Sequence, residues 1–493
     1  MTDMPHYPLY VAGAWTAGKT GQVMESINPA TGAPWATFAC ASKADVDQAV
    51  ASAKAVLDDP AWRDMSQTAR GKLLFRLADL ITEHAEHLGA VETTDSGKLA
   101  VETKAQTGYV ADYYRYYAGL ADKIEGAVLP IDKPDMHVFT QRMPIGVVAA
   151  IVPWNAQMFL AATKLAPALA AGCSVILKAS EMAPAPMLEF AKLIEAAGFP
   201  DGVVSIITGD AENCAIPLTS HLDVDRIAFT GGPEAARHVV RNSAENFAVT
   251  TLELGGKSPI LVFDDADVEA AANGLIAGNF GASGQSCVAG SRGFVQRGIF
   301  DAVVAAVTRN STGLVVGDPH DPATHLGPLC TTAQVERIEA TLADATAQDA
   351  QIAFGGKRPS GLSDHYFQPT LVLSEHADVA TTKVEMFGPV MTLVPFDTEE
   401  DAIALANDSD FGLGSGVFTQ NLARAHRVSK RIRSGITWVN TYRAISPIAP
   451  FGGFNQSGYG REAGREAILD YTRVKTTWIN TSEEPMANPF VMR

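Results

Sequence analysis

Four short apolar runs decide the reading of this chain: GVVAAIVPW at 146–154, SVILKAS at 174–180, GVVSIITG at 202–209 and RIAFTGG at 226–232. Helical patterns separate them. A strand covered on both faces carries apolar residues at successive positions, so such runs alternating with helices predict βαβ units in a parallel sheet. The punctuation agrees, with Pro184 and Pro186 ahead of MLEFAKLIEAAGF (187–199) and Gly198 near its end.

Outward from this block, a second α/β series starts near Glu253, with SPILVF (258–263), the helical pattern DVEAAANGLIAGNF (267–280), a Gly/Ser loop around Cys287, and SRGFVQ (291–296). The first 120 residues read as a short strand-rich start followed by helices, including the aromatic run TGYVADYYRYYAGLADK (107–123). Residues 122–144 and about 468–493 fit neither series and are expected to form edge strands and arms that reach another subunit. The tail TSEEPMANPFVMR (481–493) is either disordered or docks Phe490 and Val491 near a neighbouring subunit's site.

The totals bound the function. A chain of 493 residues, 47% hydrophobic and 19% charged, supports two or three packed domains. A formal net charge of -17 opposes nucleic acid and anionic membranes as partners, leaving small molecules and other subunits. The five cysteines form no CxxC pair and no Cys/His cluster at zinc-ligand spacing, so no metal and no disulfide scaffold are expected, and a reducing, cytoplasmic location is. The N-terminus MTDMPHYPLYVAGAW lacks the pattern of a secretory signal. The most apolar stretch, 158–177, contains Lys164, Pro167 and Gly172, and reads as a buried helix leading into a strand.

Three fragments carry candidate chemistry. Cys287 lies in GNFGASGQSCVAGSR (278–292), a loop of small residues whose backbone can approach a ligand closely. Asn155 follows a β-run directly, at the carboxyl end of a strand, where its amide can donate to a developing oxyanion. Glu253 in TLELGGKSP (251–259) precedes a glycine pair and can act as a general base. Each has a plain structural alternative: a buried thiol, a turn asparagine, a solvated strand-end acid.

Taken in order, VPWN, LKASE, FTGG, LELGGKSP, GQSC, EMFGPV, GVFT and PFGGFNQSGYGRE resemble the aldehyde dehydrogenase superfamily across nearly the whole chain. That resemblance implies an α/β fold with a Rossmann-type parallel-sheet domain for NAD (1–121 and 145–252), a second α/β catalytic domain (253–455), and a small β oligomerisation arm with the C-terminal tail (122–144 and 468–493). It implies oxidation of a small-molecule aldehyde to its acid by a homodimer or homotetramer. Cys287 would attack the aldehyde, Asn155 and the Cys287 N–H would hold the oxyanion, and Glu253 would activate water against the thioester. Lys164 matches a supporting lysine on the oxyanion side.

For the cofactor the chain has no GxGxxG, which this family does not use. Thr230, Gly231 and Gly232 would place a helix N-terminus beside the pyrophosphate. Many members carry Ser where this chain has Gly232, and Gly where it has Ala236. Lys178 and Glu181, with Ser180 between them, match residues that hold the adenine ribose; a carboxylate there favours NAD and leaves NADP possible. Glu385 and Phe387 match the nicotinamide-ribose contacts, and Trp154, Leu254, Gln334 and Arg337 complete the expected set.

The implied substrate tunnel is lined by Ala156, Phe159, Leu160 and Thr163, by Ser286 and Val288 beside the nucleophile, and by Arg443, Ile445 and Phe451. Ala156 and Thr163 stand where many relatives have large aromatics, which implies a wider passage. Arg443 suits either an anionic substrate group or a position facing solvent or another subunit. Two rivals share the fold: a CoA-acylating semialdehyde dehydrogenase, which has no need of Glu253, and a non-catalytic ligand-binding paralogue, which has no need of Cys287 or Asn155.

Overall fold

The computed structural model describes residues 4–486 and 488–491. Strands Val249–Leu254, Arg226–Gly231, Val147–Ile151, Ser174–Ala179 and Val204–Thr208 lie side by side in that order, all parallel. Within the central strand, Val148 and Ala150 enter the core shared with helices Gln67–Glu83, Ala100–Leu120, Gln157–Ala171 and Ala185–Ala197. Its alternate residues Val147, Ala149 and Ile151 enter the core shared with helices Lys43–Asp58 and Pro233–Asn246. Side chains alternate across a strand, so two helical layers favour apolar residues at successive positions, and most positions of the quoted runs are apolar. Leu9–Val11 with Ala14–Thr16 closes one edge of this sheet antiparallel, and Gly458–Tyr459 closes the other.

From Val147–Ile151 the chain adds strands outward on one side, then returns to add Arg226–Gly231 and Val249–Leu254 on the other. In doubly wound sheets ligands bind at such a reversal, beyond the carboxyl ends of the strands. Trp154 and Asn155 leave one of the two strands there, and Thr230 and Gly231 end the other, with Gly232 next.

A second sheet runs Gln351–Phe354, Thr370–Leu373, Val390–Phe396, Arg292–Gln296, Pro259–Val262, Gly414–Phe418 and Ile436–Val439, parallel except for its first pair. Helices Val268–Asn279 and Phe300–Ser311 cover one face, and Glu399–Asn407 and Leu422–Arg431 the other. The strand Val249–Leu254 pairs within the first sheet, which therefore runs two residues past 252 and carries Glu253 on its last turn of pleat.

The run 158–177 forms the buried helix Gln157–Ala171 and the strand that follows Gly172. No helix among the described residues is long and apolar enough to cross a membrane. Met136–Pro144 and Thr472–Asn480 pair antiparallel along their length, forming a two-stranded arm with Val474, Trp478 and Ile479 exposed. Phe490 and Val491 are exposed as well, while residues 1–3, 487, 492 and 493 lie outside the described residues.

Candidate active site

Helix Val268–Asn279 delivers the chain into a tight turn in which Ala282 and Ser283 both have φ of 53° and Gly284 has φ of 75°. Left-handed backbone at a non-glycine residue costs on the order of 1–3 kcal/mol and persists only when the surroundings enforce it. Here they do. Glu102 accepts the Ala282 N–H at 2.9 Å, Ser283 Oγ donates to the Gly327 carbonyl at 2.9 Å, and Gln285 Oε1 accepts the Cys330 N–H at 2.9 Å. At Gly284 any Cβ would stand 2.2 Å from the Gly388 main chain, so the turn admits only glycine there.

The turn presents Cys287, half-buried, where three cavities meet. A tunnel of about 300 Å³ reaches it from one side, a cleft of about 320 Å³ from the other, and a cavity of about 20 Å³ lies between. Cys287 and Leu160 line all three; Asn155 lines the tunnel and the cleft; Glu253 lines the cleft and the small cavity. Residues far apart in sequence thus converge on one sulfur. Asn155 Nδ2 donates to the Gln285 carbonyl at 3.0 Å, which fixes the carboxamide against the nucleophile loop while its second amide hydrogen stays available.

The electrostatics of the three groups differ. Burial, reinforced by the carboxylates of Glu253 and Glu385, pushes the Cys287 thiol up to about 12, with Arg443 acting the other way. Glu253 is buried and neither of its oxygens has a hydrogen-bond partner among the described residues. Burial first, and then the Glu462 carboxylate, raise its proton affinity well above that of an ordinary glutamate; Lys164 and Arg461 oppose this. Gly452 makes room for it, since a Cβ there would lie 2.7 Å from Glu253 Oε1.

Lys164 lines none of the three cavities. Its fully buried ammonium donates to Thr230 Oγ1 at 2.6 Å and forms an ion pair with Glu462. Thr163 likewise leaves the tunnel wall: it lines the small cavity and donates to Glu462 Oε2 at 2.6 Å. Glu462 was missed by sequence reasoning, although it ends the quoted motif PFGGFNQSGYGRE. It reaches the site because its backbone pairs antiparallel with Phe451.

The cleft is lined by Trp154, Thr230, Gly231, Gly232, Leu254, Gln334, Arg337, Glu385 and Phe387, all anticipated, and by Met182 and Thr331, which were not. Gly232 caps helix Pro233–Asn246, and a Cβ there would meet no atom within 4 Å, so the helix N-terminus opens directly onto the cleft. Glu385 accepts the Gly256 N–H at 2.9 Å, leaving its second oxygen for a hydroxyl. Phe387, at φ of 54°, stands edge-on to Trp154 at 5.5 Å and is held by Gln334, whose Nε2 donates to its carbonyl at 2.9 Å. Lys178, Ser180 and Glu181 do not line the cleft; Lys178 and Glu181 pair with each other at 2.6 Å at the end of the neighbouring strand.

The tunnel contains Ala156, Phe159, Leu160, Ser286, Val288, Arg443, Ile445 and Phe451 as expected. It also contains Lys98, Glu102 and Gln106, which come from the helical N-terminal region, where nothing in sequence pattern marks them as facing a ligand.

A family model described as the aldehyde dehydrogenase family matches residues 15–477. Among curated proteins, (Z)-2-((N-methylformamido)methylene)-5-hydroxybutyrolactone dehydrogenase of Acinetobacter baylyi is 51% identical over 99% of this chain and 100% of its own length. Aldehyde dehydrogenase 1 of Tanacetum cinerariifolium is 40% identical over 96% of this chain and 95% of its own. Among solved structures, betaine aldehyde dehydrogenase of Staphylococcus aureus in complex with NAD+ superposes with a TM-score of 0.96 at 36% identity, covering 99% of this chain and 97% of that one.

Proposed function

Because the chain belongs to the aldehyde dehydrogenase family, we propose that its three-cavity junction oxidises an aldehyde to the carboxylic acid with NAD, Cys287 acting as nucleophile and Glu253 as base. The observation that carries this reading is the convergence of one thiol, one carboxamide and one carboxylate where a tunnel meets a cleft that the N-terminus of helix Pro233–Asn246 faces. The strong identity with the Acinetobacter relative supports a small polar substrate.

Cys287 gives its thiol proton to solvent and adds as the thiolate to the carbonyl carbon, and the resulting oxyanion accepts hydrogen bonds from the free amide hydrogen of Asn155 and the Cys287 N–H. When NAD occupies the cleft it supplies the hydride acceptor, held by the Gly231–Gly232 helix start, Glu385 and Phe387, with Trp154, Leu254, Gln334 and Arg337 around it. Loss of hydride leaves a thioester on Cys287. Glu253 then takes a proton from water as that water attacks the thioester, and the acid and free thiol are released. Lys164 and Glu462 set the charge around Glu253 from behind. Lys178, Ser180 and Glu181 lie outside the cleft lining, at the end of the neighbouring strand, and would hold the adenine ribose of a dinucleotide that extends that far, with Glu181 favouring NAD over NADP by repelling a 2′-phosphate.

We assign 1–121 and 145–252 to cofactor binding, 253–455 to catalysis, and 122–144 with 468–493 to assembly of a homodimer or homotetramer in the cytoplasm. The exposed Val474, Trp478 and Ile479 on the paired strands support the last assignment. An aldehyde panel read at the NADH absorbance band, with NAD and NADP in parallel, tests the activity: reduction of NAD that disappears in Cys287→Ala is expected. Acyl-CoA formed in place of the free acid on adding CoA would overturn the hydrolytic reading.

A further inference from the structure

Resting on the dehydrogenase reading, we propose that the aldehyde is short and carries a carboxylate at its far end, which Arg443 binds in the tunnel. Arg443 is built into position. Its backbone is left-handed, with φ of 64°, next to Tyr442, which is buried and donates from its hydroxyl to the Val288 carbonyl at 2.9 Å. Its Nη1 lies over Gly281, where a Cβ would come within 2.1 Å and displace the guanidinium from this position. The same nitrogen donates to the Ala277 carbonyl at 3.2 Å, in the last turn of helix Val268–Asn279, where the helix dipole favours a cation.

That single bond leaves most of the guanidinium's five N–H groups without a partner among the described residues. Other polar side chains of the tunnel are engaged, whereas the Ser286 hydroxyl has no hydrogen-bond partner among the described residues. Lys98 is buried against Glu92, with Gln106 on the same ammonium, and Gln285 is tied to Cys330 and Pro328. Glu102 holds the Ala282 N–H through one oxygen, while the other is buried without a partner, and among the described residues no ion pair joins it to Arg443. The remaining walls are Phe159, Leu160, Val288, Ile445 and Phe451.

A purely alkyl aldehyde would cover the guanidinium without answering its donors, which is unfavourable in an apolar tunnel. A quaternary ammonium asks for an aromatic cage, and here it would meet two phenylalanines and a fixed positive charge. A carboxylate matches the planar fork of arginine with two charge-assisted hydrogen bonds. Glu102 acts against an anion, so the two residues make opposite predictions.

The test compares ω-oxo acids of four to six carbons with the alkanals of equal length, reading NADH formation in the full-length protein with NAD. The readout is the ratio of kcat/KM for oxo acid over alkanal within each variant, because Arg443 also influences the Cys287 thiol and the ratio cancels that effect. The unaltered protein should prefer the oxo acid at one of these lengths. Arg443→Gln should cut that ratio by roughly 10- to 100-fold, mainly through KM, with Arg443→Lys in between, and Glu102→Gln should leave the ratio unchanged or raise it. A ratio at or below one throughout in the unaltered protein, or a ratio within twofold of it in Arg443→Gln, overturns the inference, and the first of these needs no variant to fold. Failure to reduce NAD with any aldehyde would instead overturn the dehydrogenase reading, and this inference with it.

Discussion

Replacing Glu253 by glutamine separates the two halves of the proposed reaction. The side chain keeps its length and shape, and the buried site receives a neutral amide in place of an acid whose proton affinity burial has raised. Neither carboxylate oxygen is bonded to the protein among the described residues, so the full basicity of the group is free to act on water. A positioned general base contributes about 10²–10⁴-fold, and a base shifted toward the working pH belongs in the upper part of that range. Steady-state turnover of Glu253→Gln should therefore fall by roughly 10³–10⁴, which is about 4–5.5 kcal/mol of barrier at 1.36 kcal/mol per decade. Hydride loss precedes the use of this base, so rapid mixing with aldehyde and NAD should still show one burst of NADH per active site, followed by near silence. In the unaltered protein turnover should rise with pH as Glu253 loses its proton, from an inflection above the ordinary glutamate range. Turnover within tenfold of the unaltered protein, or loss of the burst together with the steady rate, would refute the assignment of Glu253 to thioester hydrolysis.

Asn155→Ala should lower kcat by about 10²–10³ with little change in KM, because the missing donor acts on charge that appears only after attack; a pure KM effect in steady-state kinetics would contradict this. In cofactor-free protein the Cys287 thiol, held up to about 12, should be alkylated by iodoacetamide about tenfold faster per pH unit from 7 to 10, since the thiolate fraction grows that way. Mass spectrometry of the labelled peptide reads the rate, and a plateau below pH 9 would show a much more acidic thiol. Lys164→Met should destabilise the fold by about 3–5 kcal/mol in denaturant titration, by leaving Glu462 buried without its cation. Adding Glu462→Gln should recover part of that loss, and strict additivity of the two would argue against direct coupling.

Much of the architecture was readable without coordinates. The apolar runs at 147–151, 174–179, 204–208 and 226–231 had to be central strands, because continuous Val/Ile content is tolerated only where both faces are covered. The glycine-rich surroundings of Cys287, the strand-end position of Asn155 and the glycine pair after Glu253 are local features, but each left a plain structural alternative, and only the eight motifs in order singled the three out as candidate reacting groups. The arm was legible by exclusion, as the segments that fitted neither α/β series pair with one another.

What the sequence could not settle is where long side chains end. Thr163 and Lys164 sit on a helix read as tunnel wall and oxyanion support, yet both turn to Glu462, a residue some 300 positions away that only the pairing of Phe451 with Glu462 brings near. Glu102 and Gln106 enter the tunnel from a helix whose pattern marks no functional face, and Lys98 from the connection just before it. Arg443 reads in sequence more readily as facing solvent or another subunit, yet it lines the tunnel, with Nη1 over Gly281 and on the Ala277 carbonyl. Backbone hydrogen bonding and strand burial follow from neighbours in the chain, whereas the partner of a buried charge is chosen by packing across the whole fold, and that choice is written only in three dimensions.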